Sequence, residues 1–155
     1  MPSLISHGII GYLLFGYKGL IISIIPDIIG FIYYFYKLFF IHKTIDFDKP
    51  FDKWVPIDKM EKLDWFLYDI SHSLIIWFLI YFIFKEKFIF GAIISIILDI
   101  FLHSKERWLG PAFLYPLTDY RFDGIHWLTT KGNLITIIVI LIIYCQKKNI
   151  LKILV

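Results

Sequence analysis

Trp65-Phe-Leu-Tyr-Asp-Ile-Ser-His-Ser-Leu-Ile-Ile-Trp-Phe-Leu-Ile-Tyr-Phe-Ile-Phe84 decides the fold class of this chain. Its length matches the ~20 apolar residues that a helix needs to cross a bilayer. It shows no period-2 alternation, so a helix is the only spanning structure it can form. Yet it contains Asp69 and His72. A charged residue at bilayer depth costs roughly 2.5–3.5 kcal/mol on insertion scales, and such residues occur there mainly when something binds them.

The charged turn Lys85-Glu86-Lys87 follows, and then a second apolar run, Phe88–His103, that ends with Asp99 and His103. Counting from Glu86 puts His72 level with Asp99 and Asp69 level with His103, both pairs roughly 20–25 Å from the turn at ~1.5 Å rise per residue. Asp69 and His72 are spaced i, i+3; Asp99 and His103 are spaced i, i+4. Each pair therefore shares a helical face.

Three further apolar segments lie outside this hairpin: Leu4–Tyr17, Gly19–Ile41, and one from Leu134 to Tyr144 with an extension through Ile150–Val155. Lys18-Gly19 predicts a turn between the first two. About that turn, His7 and Asp27 fall at similar depth, with Pro26 making the helical count there less regular. Polar connections occupy about residues 42–64 and 104–132. The reading is an all-α integral membrane bundle of four to five helices arranged as hairpins, a single domain over residues 1–155.

Composition agrees: 59% of the 155 residues are hydrophobic and 20% aromatic, too apolar for a soluble domain of this size. The +3 formal charge is scattered and forms no basic stripe, which argues against a nucleic-acid partner. Cys145 is the only cysteine, so disulfides and cysteine-based metal sites within one chain are excluded. The N-terminus lacks a cationic region and a small-residue cleavage site, and reads as mature sequence. The two long connections carry nine Lys/Arg against six for Lys18, the 85–87 turn and the C-terminal tail, which places the long loops in the cytoplasm.

Imidazole nitrogens and carboxylate oxygens are the sulfur-free ligand set of zinc, manganese and iron. Asp99 and His103 make a two-ligand clamp on one helix turn, and His72 opposite would be a third ligand. His7 and Asp27 would complete the shell or hold a second ion. Asp69 suits a supporting role, orienting a ligating histidine. An ion with an open position would lower the pKa of bound water and supply a nucleophile near neutral pH.

Each residue also has a structural reading. Asp99 and His103 could pair with each other at a helix end. His72 could hydrogen-bond Asp69 or a carbonyl, Asp27 could sit at a helix N-terminus, and His7 could be interfacial. His42 and His126 read as surface residues in the polar connections. Trp54, Trp65, Trp108, Trp127 and Lys147-Lys148 read as interfacial anchors. Arg107 and Arg121 could hold a phosphate or carboxylate of a substrate.

Taken in order, Ser6-His7-Gly8, Pro26-Asp27, Tyr68-Asp-Ile-Ser-His-Ser73, Leu98-Asp-Ile-Phe-Leu-His-Ser104 and Phe113-Leu-Tyr-Pro-Leu-Thr-Asp-Tyr-Arg-Phe122 are similar to the inner-membrane-associated metal-dependent hydrolases, the LexA-binding, YdjM-like group. The resemblance runs from about residue 3 to Trp127. It implies a helical membrane protein of the inner or plasma membrane with metal ligands at His7, Asp27, His72, Asp99 and His103. Two family positions differ: a histidine before the first aspartate of the fourth segment is Ser95 here, and an aspartate and histidine after Pro-Asp are Ile29 and Gly30. These departures favour one ion over two. The expected activity is hydrolysis of an ester or phosphoester by metal-activated water, with zinc as the metal and Asp27 or Asp69 as base or orienting group. The expected partners are membrane lipid and an amphiphilic substrate. The alternative is a non-catalytic membrane protein whose Asp/His cluster binds metal structurally or relays ions or protons.

Overall fold

Gly16 folds the N-terminal apolar stretch back on itself. The computed structural model describes residues 2–42, 60–104, 110–127 and 129–153. Its first helix, α1 (Pro2–Tyr36), is two arms joined at Gly16, whose φ of 68° and ψ of −154° lie in a region open essentially to glycine alone. Ser23 Oγ donates to the carbonyl of His7 at 2.8 Å. In a straight helix those residues would stand about 24 Å apart. Gly11 and Gly19 face each other across the fold, and a Cβ on either would strike the other's carbonyl oxygen. Small residues that let backbones touch are the usual device for packing helices in lipid, where apolar side chains gain nothing by leaving the solvent.

The fold point lies two residues before the expected Lys18-Gly19 turn. The shift puts Ser23, not Asp27, opposite His7, and Asp27 one helical turn further along the second arm. Pro26 sits inside that arm without ending it. Asp27 is therefore a mid-helix residue and not an N-terminal one. A π-helical segment (Lys37–His42) closes the arm.

The decisive stretch is not one continuous helix. It forms α2 (Lys62–Ser71) and α3 (Leu74–Phe84), bent by 49° at a break around His72. Lys85, in the left-handed conformation, ends α3 and accepts the turn into a short 3-10 segment (Lys87–Ile89) and α4 (Phe90–Leu102). The last helix is α5 (Thr130–Ile153), longer at both ends than its apolar core Leu134–Tyr144.

Two buried clusters hold the bundle. Trp77, Ile89, Ala92, Ile93, Ile96 and Ile100 join α3 and α4, with Ile22 and Ile25 of α1 packed against them. Phe31, Tyr34, Leu38 and Tyr68 join the second arm of α1 to α2. By length and composition, Leu4–Ile41 and Thr130–Lys148 are apolar enough to cross a membrane, and the bent pair α2–α3 is a third if counted as one span. The outer faces agree with this: Ile21, Ile28 and Ile32 on α1, Phe82 and Ile83 on α3, and Leu134, Ile137, Ile138 and Leu141 on α5 are all exposed.

The loop of residues 110–127 closes one end of the bundle. The N–H groups of Gly124, Ile125 and Trp127 donate to the carbonyls of His103, Phe101 and Leu102, the terminal acceptors that α4 cannot satisfy itself. The carbonyls of Phe113 and Tyr115 accept from Leu74 N–H and Ser73 Oγ at the start of α3. Residues 43–59, 105–109 and 128 of the polar connections, with Trp54, Arg107 and Trp108, lie outside the described residues, as does the side chain of His42.

Candidate metal centre

The break at His72 is built by local hydrogen bonds. The Tyr68 carbonyl accepts from the His72 backbone N–H at 3.0 Å and from Ser71 Oγ at 3.1 Å. Ser73 then caps α3 by accepting from Ile76 N–H, and Trp77 Nε1 donates to the Ser71 carbonyl at 2.6 Å. His72 thus stands between two helix ends, fully buried, with its ring 4.3 Å from that of Tyr68.

The same carbonyl fixes the imidazole. His72 Nδ1 lies 3.0 Å from both Tyr68 O and Ser71 Oγ, and in the tautomer protonated at Nδ1 it donates to that carbonyl. In that tautomer the Nε2 lone pair faces Asp27 Oδ1 at 3.4 Å and Asp99 Oδ2 at 3.8 Å. The orientation suits a ligand whose second nitrogen is held by a backbone carbonyl. Gly30 makes room for it: a Cβ there would lie 3.0 Å from Ser71 Oγ and 3.1 Å from His72 Cε1.

Asp27, His72 and Asp99, from α1, the α2–α3 break and α4, offer ligand atoms that all lie within 4.8 Å of one another, and all three residues are buried. His7 Nε2 is 3.2 Å from Asp99 Oδ1. His103 Nδ1 donates to the Asp99 carbonyl at 2.8 Å and stands 3.6 Å from Oδ1. The structure therefore gathers all five residues named from the sequence. Three are close enough to share one ion; His7 and His103 flank it against Asp99.

The donor set fits a cation. Two buried carboxylates this close repel by roughly 3–4 kcal/mol at an effective dielectric of 20. The fixed cations beside buried carboxylates are elsewhere, Lys37 on Asp64 and Arg121 on Asp69. Separations of 3.4 and 3.8 Å are long for hydrogen bonds. They are near the about 3.3 Å edge of a tetrahedron with 2.0–2.1 Å bonds. Asp27 Oδ2 and His7 Nδ1 are both buried without a hydrogen-bond partner among the described residues. The Asp27–His72–Asp99 group could hold a metal ion; nothing in it selects which.

Asp69 does not support a histidine. Its oxygens accept from Arg121 Nη2 at 2.6 and 2.7 Å, while Arg121 Nη1 donates to the Gly110 carbonyl and the guanidinium lies over Trp65. The 49° bend turns α2 away from the line of α3, and Asp69 lies on the α2 side of it. Arg121 is thereby committed to bracing the loop on α2. His126 is not a surface residue: it is buried, its ring stacked on that of Trp127, which is also buried.

Two features escaped sequence reasoning. Lys37 is buried and pairs with Asp64 at 2.5 Å, tying the end of α1 to the start of α2; a lysine inside the apolar run Gly19–Ile41 was the available signal. The second is a small cavity lined by Ser6, His7, Asp99, Leu102, Asn133 and Thr136, for which the sequence offered no depth count because α5 follows a long connection. Comparison with family models, curated proteins and solved structures gives no match for this chain.

Proposed function

We propose that this chain is an integral membrane hydrolase with one divalent metal, zinc in this reading, acting on an ester or phosphoester of an amphiphilic substrate. The observation that carries the reading is the buried Asp27–His72–Asp99 group, whose histidine directs Nε2 at two carboxylates. A bound divalent ion supplies Lewis acidity, which polarises the scissile group and makes water nucleophilic near neutral pH.

The chain's own residues supply the rest. His72 holds its lone pair inward through the Tyr68 carbonyl. Asp99, touched by His7 and His103, is the anchor of the cluster. Asp27 keeps one oxygen, Oδ2, without a hydrogen-bond partner among the described residues; in this reading it takes the proton of attacking water. Asp69 acts through Arg121 to hold the loop and makes no contact with the reacting groups in this reading. The resemblance to inner-membrane metal-dependent hydrolases supports the same activity, and the exposed apolar faces of α1, α3 and α5 support a bilayer setting. A site between membrane helices meets a lipid-like substrate more readily than a soluble one.

The test uses purified protein reconstituted in phospholipid vesicles carrying a fluorogenic phosphoester or carboxylic ester lipid. Hydrolysis is expected that stops with a chelator, returns with zinc, and is absent in Asp99→Ala. Metal-replete protein with no turnover on either ester class would favour the alternative, a structural or relay role for the same cluster.

A further inference from the structure

α5 packs mainly on α1 and turns a row of apolar residues outward, yet Asn133 and Thr136, one turn apart on the same face, line a cavity whose opposite wall is Asp99 and His7. We infer that this cavity is where an exogenous ligand atom, an oxygen of water or of the substrate, reaches the metal centre, and that Asn133 and Thr136 are the positioning residues of that subsite. The inference rests on the metal reading above.

Three observations support it. The cavity adjoins Asp99, the residue shared by the triad, His7 and His103. Its wall includes His7, which is buried and keeps Nδ1 without a hydrogen-bond partner among the described residues. Its volume is about 20 Å³, room for one water-sized occupant and not for a whole headgroup.

Polarity points the same way. Thr136 Oγ1 donates to the Gly132 carbonyl at 3.0 Å, which leaves the hydroxyl's lone pairs to accept from a ligand. Asn133 is exposed on its outer side, so the subsite is approached along α5. A packing role alone would have been met by apolar side chains, as it is elsewhere on this helix. The substrate's bulk then lies outside, and one oxygen enters.

Cobalt(II) substitution with azide as the probe tests this without turnover, because azide alters the visible spectrum of cobalt only by coordinating it. Full-length protein in detergent is expected to bind one cobalt and to change spectrum with azide. Thr136→Leu fills the cavity, and Asn133→Leu removes its outer polar wall at an exposed position where folding is not at risk. Each is expected to keep cobalt and weaken azide about tenfold, while Thr136→Ser behaves as the parent. Azide affinity in both leucine variants within about threefold of the parent, or a cobalt-loaded parent blind to azide, overturns the inference. A parent that takes up no cobalt overturns the metal reading itself, a distinct result.

Discussion

His72 does two jobs with two nitrogens. Nδ1 closes the end of α2 onto Tyr68 O, and Nε2 faces the carboxylates of Asp27 and Asp99. The structural alternative weighed for this residue, a bond to a carbonyl, is thus correct and is what makes it a good ligand. Gly30 tests this coupling without deleting any ligand. Gly30→Ala would press a methyl on Ser71 Oγ and His72 Cε1 at 3.0–3.1 Å; the ring must shift, and metal affinity is expected to fall by about tenfold for a strain of roughly 1–3 kcal/mol. A metal titration beside a thermal melt separates the two effects. Asp69 and Arg121 predict the opposite pattern. Removing one partner of a largely buried pair, as in Arg121→Ala, is expected to cost about 3 kcal/mol of stability with metal content unchanged; loss of metal would restore Asp69 to the centre.

At the level of elements, most of what the sequence showed concerned spacing, and most of what it hid concerned breaks. His103, the residue that follows α4, turns its ring back on Asp99, and His72 meets Asp99 at the depth counted from the Glu86 turn. Those counts held because α3 and α4 are uninterrupted between turn and site. Ser71-His72-Ser73 stops one helix and caps the next, and Asp69, before that break, pairs with Arg121 and not with a histidine; serines flanking the histidine were the available signal. The N-terminal hairpin was visible, but its fold point was placed at Lys18-Gly19, since Gly16 and Gly19 are equally permissive as residue types and only the Gly11–Gly19 backbone contact decides between them. Gly16→Ala checks this: a side chain at φ 68°, ψ −154° is expected to cost about 1–3 kcal/mol, read as a lower melting temperature. A stability equal to the parent would place the fold elsewhere.

For the whole molecule, the buried clusters and the five acidic and imidazole residues sit among α1–α4 and their ends, while α5 leaves Leu134, Ile137, Ile138 and Leu141 exposed. Such a surface is stable only against lipid or another apolar partner. In a Cys145→Ser background, Ile138→Cys is therefore expected to resist a membrane-impermeant maleimide in intact vesicles and to react once the protein is denatured in detergent. Prompt labelling in vesicles would contradict a membrane-embedded α5. Six ionisable or imidazole groups were readable from the sequence as a cluster near one face; the structure keeps five around Asp99 and gives the sixth, Asp69, to the loop brace. The central claim is that Asp27, His72 and Asp99 hold one divalent ion, and elemental analysis of protein purified without chelators tests it most directly. One divalent metal per chain is expected in the parent and almost none in His72→Ala or Asp99→Ala; a parent free of metal, or variants that retain it, would contradict the account.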